Sequence, residues 1–322
     1  MPVLSLIRSA LAISFLALVV TGCATTAPSD IAAAPSDAAT QSAASKPTKQ
    51  KTKQTAKQSS TKNKSESALP GKSYEEILAT ADDAARRADY RAALMLYGEA
   101  QALENTTEVW LRIGAAQRHL GLLEGAAFSF RSAAELDEAD PVAHESLGLV
   151  LLALRDTDQA RLSLDKALEL DGKRWQSHNA LGVIADLEGN ADAAIAHYEA
   201  ALALYPKSQM LLNNVGYSYY LAGNDDRARG YFEAALNLGS YEPATLNLGL
   251  LHAREGRYPA AVEILVKAVD RPTALNDVGF VALSNGDYAE AQRLLEAAIR
   301  LSPVHYETAQ RNLALARTEG AR

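Results

Sequence analysis

Few side chains in this sequence can bond covalently, ligate a metal or titrate near neutral pH: one cysteine, Cys23, and six histidines, His119, His144, His178, His197, His252 and His305. A single cysteine excludes a disulfide within the chain and a zinc site built on cysteines. His144 and His178 are 34 residues apart. A 34-residue step along a helical repeat displaces a side chain by about one helix-packing distance, ~10 Å. A shared metal needs its ligands within about 2.1 Å, so the histidines are expected to pack or to be solvated. The sequence has no phosphate-cradling glycine loop, no His-Glu-x-x-His and no nucleophile elbow. Its scattered Asp and Glu read as solvated helix faces. The expectation is therefore a chain that is not an enzyme, with no catalytic residue, metal or cofactor. Two chemistries remain: acylation of the Cys23 thiol, and recognition by amides and aromatic rings.

The surroundings of Cys23 favour acylation. Arg8 is the sole charge among the first 29 residues, and an apolar run from Ala10 to Val20 follows it. The run is short for a membrane span, which needs roughly 20 apolar residues, but it suits the core of an export signal. Val20-Thr21-Gly22-Cys23 closes it. These residues resemble a lipobox, where bacterial lipoprotein signal peptides are cut ahead of a lipidated cysteine. The resemblance implies a signal peptide over 1–22 and a covalent lipid on Cys23. Ala24, not an aspartate, follows the cysteine, which in such lipoproteins implies the outer membrane, facing the periplasm. Each buried acyl CH₂ contributes about 0.8 kcal/mol, so several chains on one residue anchor firmly.

Residues 24–72 show no hydrophobic period and are rich in Ala, Ser, Thr, Lys and Gln. Lys46, Lys49, Lys51, Lys53, Lys57, Lys62 and Lys64 fall in one stretch without an acid among them. Such a composition cannot build a core and reads as a disordered tether. At this length its root-mean-square span is roughly 40 Å, and its full extension about 160 Å. It serves as a spacer, or its lysines meet anionic head groups or cell wall, at about 1 kcal/mol per Lys near an anionic surface. Charge inverts beyond it: residues 73–322 hold 23 basic and 36 acidic residues, a balance of −13. That argues against nucleic acid as a partner.

From residue 73 the chain repeats itself. The pairs Ile113-Gly114, Leu147-Gly148, Leu181-Gly182, Val215-Gly216, Leu248-Gly249 and Val278-Gly279 recur at glycine spacings of 34, 34, 34, 33 and 30. Twelve residues after each glycine stands an alanine, from Ala126 to Ala291, and seven further on another, from Ala133 to Ala298. Ala81, Ala93 and Ala100 give an earlier unit of the same form, for seven in all. Small residues let two antiparallel helices approach closely, and large ones fill the gaps beside them: Trp110 on a first helix, then Tyr97, Phe130, Leu164, Tyr198, Phe232, Leu265 and Leu295 on second helices. Gly121, Gly189, Gly223, Gly256 and Gly286 end helices. Pro141, Pro206, Pro259 and Pro303 sit at helix edges. The short link Asp270-Arg271-Pro272 should cut the second helix of unit 6 early.

The 34-residue period with these residues in these places resembles the tetratricopeptide repeat. The resemblance implies an all-α fold: a right-handed superhelical solenoid of about seven helix-turn-helix units over 73–303, then a C-terminal capping helix and tail over 304–322. No unit can bury its apolar face alone, so the units must stack.

Such a superhelix has a concave face lined by its first helices. By resemblance, positions two to three before the glycine and one after it point into that groove. The peptide-binding candidates are Asn179, Asn213, Asn214, Tyr217, Tyr220, Asn247, Leu250, Asn276 and Phe280. An Asn both donates and accepts, which suits the backbone of an extended peptide, and aromatic rings are common interface anchors. The competing role for the Asn residues is to brace the next helix. If they bind, Tyr217→Ala with Asn247→Ala abolishes partner capture without loss of helicity.

Two stretches, "LNNVGYSYYLAGNDDRARGYFEAAL" at 212–236 and "LNDVGFVALSNGDYAEAQRLLEAAIRLSPVHYETAQRNLALA" at 275–316, are similar to the Tad (tight adherence, Flp pilus) assembly lipoproteins. This resemblance implies a protein-binding scaffold that helps assemble an outer-membrane secretion channel for Flp pili. The partner would be a secretin or another pilus-assembly component in the periplasm or outer membrane. The other reading of the layout is a periplasmic scaffold lipoprotein that docks cell-wall (peptidoglycan) enzymes.

Overall fold

The computed structural model describes residues 73–322; the segments expected to be a signal peptide and a tether, with Cys23, lie outside the described residues. Fifteen helices and no strand occur among the described residues. They run as seven antiparallel hairpins: α1 (Tyr74–Arg86) with α2 (Tyr90–Leu103), α3 (Thr107–His119) with α4 (Leu123–Leu136), α5 (Pro141–Ala153) with α6 (Thr157–Leu170), and α7 (Trp175–Leu187) with α8 (Ala191–Leu204). There follow α9 (Gln209–Leu221) with α10 (Asp225–Asn237), α11 (Glu242–Arg254) with α12 (Tyr258–Leu265), and α13 (Arg271–Ser284) with α14 (Tyr288–Leu301). A last helix, α15 (Glu307–Gly320), has no partner hairpin.

The helices begin where the sequence supplies acceptors for the unpaired N–H groups of a first turn. Ser73 accepts from the Glu76 N–H while the Glu76 carboxylate accepts from the Ser73 N–H, a reciprocal cap on α1. Side chains of Asp89, Thr106, Asp156, Asn190, Ser208, Asn224 and Asp270 each accept from a first-turn N–H and cap later helices, without the reciprocal bond. First helices end on a residue in the left-handed region, which a glycine fills in five units, for example Gly189 at φ 75°. Ala88 and Arg155 adopt that conformation without being glycine, at φ 59° and 66°.

The small-and-large pairing within each hairpin is steric. A Cβ on Gly148 would lie 2.6 Å from Leu164 Cγ, and one on Gly182 2.6 Å from the Tyr198 ring. Gly114 meets Phe130, Gly216 meets Phe232, Gly249 meets Leu265 and Gly279 meets Leu295 in the same register. Each glycine is thus the space into which the large residue of its partner helix sinks, and those large residues are buried.

Burial is continuous from hairpin to hairpin. One cluster reaches from Ala126 to Leu251, a second from Leu250 to Ala316, and a third joins the first two units. The result is a superhelical solenoid, each unit covering the apolar face of its neighbour. Unit 6 departs from the pattern. Its second helix, α12, has eight residues where the other second helices have 13 or 14, and Asp270 then caps α13 with Pro272 in its first turn. α15 closes the stack by burying Ala309, Leu313 and Ala316 against the Leu294 and Leu295 layer.

Candidate peptide-binding groove

Counting from the glycine of each unit, the residues three before, one after and four after it form a stripe along the inner face of each first helix. They are spaced i, i+4, i+7, which places them on one side of a helix. In α7 the stripe is Asn179, Val183 and Asp186; in α9 it is Asn213, Tyr217 and Tyr220; in α13 it is Asn276, Phe280 and Leu283.

The asparagines are buried and bonded to one another across unit boundaries. Asn214 Nδ2 donates to Asn179 Oδ1 at 2.9 Å, Asn247 Nδ2 to Asn213 Oδ1 at 2.8 Å, and Asn312 Nδ2 of α15 to Asn276 Oδ1 at 3.1 Å. In each pair, the residue two before the glycine position of one unit reaches back to the residue three before it in the unit ahead. Buried amides must find partners, and here the partner is the next helix. These hydrogen bonds support the bracing role, so the asparagines form the wall of the groove rather than its open contacts.

Tyr217 and Leu250 are also buried, whereas Tyr220 and Phe280 are partly exposed. Tyr220 is held from two sides. The Tyr217 ring stacks on it at 6.3 Å between centroids, and the Arg254 guanidinium lies over it at 3.6 Å. Arg254 Nη1 also donates to the Tyr220 carbonyl at 2.9 Å, and its other arm pairs with Asp225. A ring fixed this way loses little entropy on binding.

Beneath the tyrosines lies Asp186. Its carboxylate accepts from Ser218 Oγ at 2.9 Å and from the Tyr198 hydroxyl at 3.1 Å, joining units 4 and 5. Burial pushes this carboxyl up to about 7, against the lowering effect of the two hydroxyls. Burial likewise raises Asp277 to about 6 and raises the Tyr217 and Tyr220 phenols. Burial thus makes the ionised form of both carboxyls less favourable than on an exposed helix face.

Among the described residues no group of three or more His, Cys, Asp or Glu is placed to hold a metal. His178 and His197 lie 5.9 Å apart between ring centroids, His119 stacks on Tyr90, and His144 hydrogen-bonds the Glu138 carbonyl. Sequence reasoning missed Asp186 and Arg254. Asp186 occupies the same stripe position as Tyr220, so reading that position unit by unit brings it into view. Arg254 lies one residue past the stripe and had no such signal.

The tetratricopeptide repeat family profile matches residues 146–209, 188–243, 216–274 and 281–320, together just over half of the chain. No curated protein matches the chain. Several solved structures are similar. A tetratricopeptide repeat protein from Parabacteroides merdae is 17% identical with a TM-score of 0.57, covering 76% of this chain and 98% of that one. PilF of Pseudomonas aeruginosa is 21% identical with a TM-score of 0.51, covering 65% and 96%. The C-terminal part of a repeat protein from Cytophaga hutchinsonii is 16% identical at 0.56, covering 73% and 99%. At these identities the likeness is one of fold. The matched repeats, the glycine-to-large-residue interlock and the stacked hairpins agree: the chain belongs to the tetratricopeptide repeat family.

Proposed function

We propose that this chain is a non-enzymatic, protein-binding scaffold, anchored by lipid on Cys23 to the outer membrane and facing the periplasm. There it holds a component of a Flp/Tad-type pilus secretion channel. The observation that carries the binding role is the half-open aromatic strip on the first helices of units 5 to 7. Tyr220, clamped between Tyr217 and Arg254, and Phe280 offer rigid apolar area over a wall of paired amides. The pilus reading is supported by the likeness of the segments at 212–236 and 275–316, which form α9 to α10 and α13 to α15.

Capture of partners from detergent-solubilised membranes tests this. The wild-type chain enriches a secretin, and Tyr220→Ala with Phe280→Ala loses that enrichment at unchanged helicity. Unimpaired capture by the double variant would end the groove assignment, and enrichment of peptidoglycan hydrolases instead would reassign the partner. The anchor has its own test. Labelled palmitate is incorporated into the wild-type chain and not into Cys23→Ser; equal label on both would end the lipoprotein assignment.

A further inference from the structure

The stripe on α3 differs from those of units 4 to 7. It reads Leu111, Ala115 and Arg118, all partly exposed, while Val109, Ile113 and Gly114 turn to the core. Leu149 takes the equivalent place on α5 and is also partly exposed. Charged stripe residues elsewhere are satisfied. Asp82 accepts from Arg112 at 2.8 Å and from the Tyr97 hydroxyl at 2.7 Å. Glu145 accepts from Arg174 at 2.6 Å and from Ser177 Oγ at 2.7 Å. Asp186 has its two hydroxyls.

Arg118 stands apart. Its Nε is buried without a hydrogen-bond partner, and it forms no ion pair among the described residues. The one carboxylate whose field it feels, Glu145, is already committed to Arg174 and Ser177. Burial pushes this guanidinium down from its ordinary range. A guanidinium held half out of water without a counter-ion costs stability, and it is an efficient receiver of a carboxylate.

We propose that Arg118 receives an acidic side chain from an extended protein segment lying along units 2 and 3, with Leu111, Ala115 and Leu149 as the apolar floor beside it. The unmatched positive charge on that floor selects the occupant. The lysine-rich stretch at 46–64 repels it, and a wholly apolar segment leaves it unpaired. The inference rests on the groove being the binding surface and adds the chemistry of the partner at its N-terminal end.

The test uses the purified full chain in detergent and two blocked peptides, N-acetylated and C-amidated: Gly-Ser-Leu-Ala-Asp-Leu-Ser-Gly and its counterpart with Asn for Asp. Wild-type protein binds the acidic peptide about tenfold more tightly than the amide, the scale of one charge-assisted pair. Arg118→Gln brings the ratio to about one. Arg118→Leu also loses the preference but raises Tm by about 2–4 °C, because it removes an unmatched, half-buried charge; a purely structural arginine would lower Tm when replaced. Equal binding of the two peptides by wild type overturns the inference while leaving the groove in place. A preference that survives in Arg118→Gln, or no binding of either peptide, overturns it too. Self-association lost in Arg118→Gln would assign the site to a second copy. Tighter peptide binding by Glu66→Gln would assign it to the chain's own leader. Either result would overturn the proposal.

Discussion

Asp186 shows how one residue makes a repeat junction sensitive to pH. Its folded pKa, about 7, lies above the value near 3.9 of a free aspartate. The folded chain therefore holds a proton that the unfolded chain has released between those two values. Stability falls as pH rises through this window, by roughly 1 kcal/mol per unit, and levels off above about 7. Urea melts of the wild-type chain at pH 5 and pH 8 should show that fall. Asp186→Asn should reduce it, leaving the share that the raised carboxyl of Asp277 contributes below about pH 6, and be the more stable protein at pH 8. An unchanged slope would place the titrating group elsewhere. Asp186 and Arg118 are legible only when the stripe is read position by position, because each is a single departure that the repeat pattern itself does not flag. The asparagines were legible as special but not in their use. Asn214 and Asn179 are 35 residues apart, and which amide faces which depends on how one unit rotates against the next.

Elements behave as their small residues dictate. The glycine of each Leu-Gly pair could be placed from its spacing alone, and the structure gives the reason: the partner's ring or branched side chain occupies the volume a Cβ would need. The early stop of α12 was equally legible, because Asp270 and Pro272 favour the start of a new helix over the continuation of the old one. Between elements, the amide pairs act as latches. Asn247→Ala should leave Asn213 Oδ1 without its donor in a buried place and cost about 1–3 kcal/mol. Amide hydrogen exchange should quicken in α9 and α11 while α1 to α4 stay unchanged. Protection that is unaltered throughout would show that the latch contributes nothing.

At the scale of the whole molecule, stability is a sum over neighbouring units. Ending the chain at Ser302 removes α15, uncovers the Leu294 layer and leaves Asn276 Oδ1 without the Asn312 amide. Hydrogen exchange should then rise in α13 and α14 and leave units 1 to 4 as they were. A uniform rise would reveal one cooperative body instead of a stack. The seven-unit architecture is legible in the sequence because a period repeated seven times averages out local exceptions. The chemistry of the inner face is not, since it lies in those exceptions.

The shortened sixth unit has a consequence for any long partner. A strictly periodic surface presents nearly the same handholds after every step, so a bound strand can slide by one unit at small cost. A step of 30 residues from Gly249 to Gly279, against 33 or 34 between earlier glycines, with α12 trimmed to match, interrupts that monotony at one place. For a strand bound along the inner face, that break is the place where neighbouring alignments would cease to be equivalent.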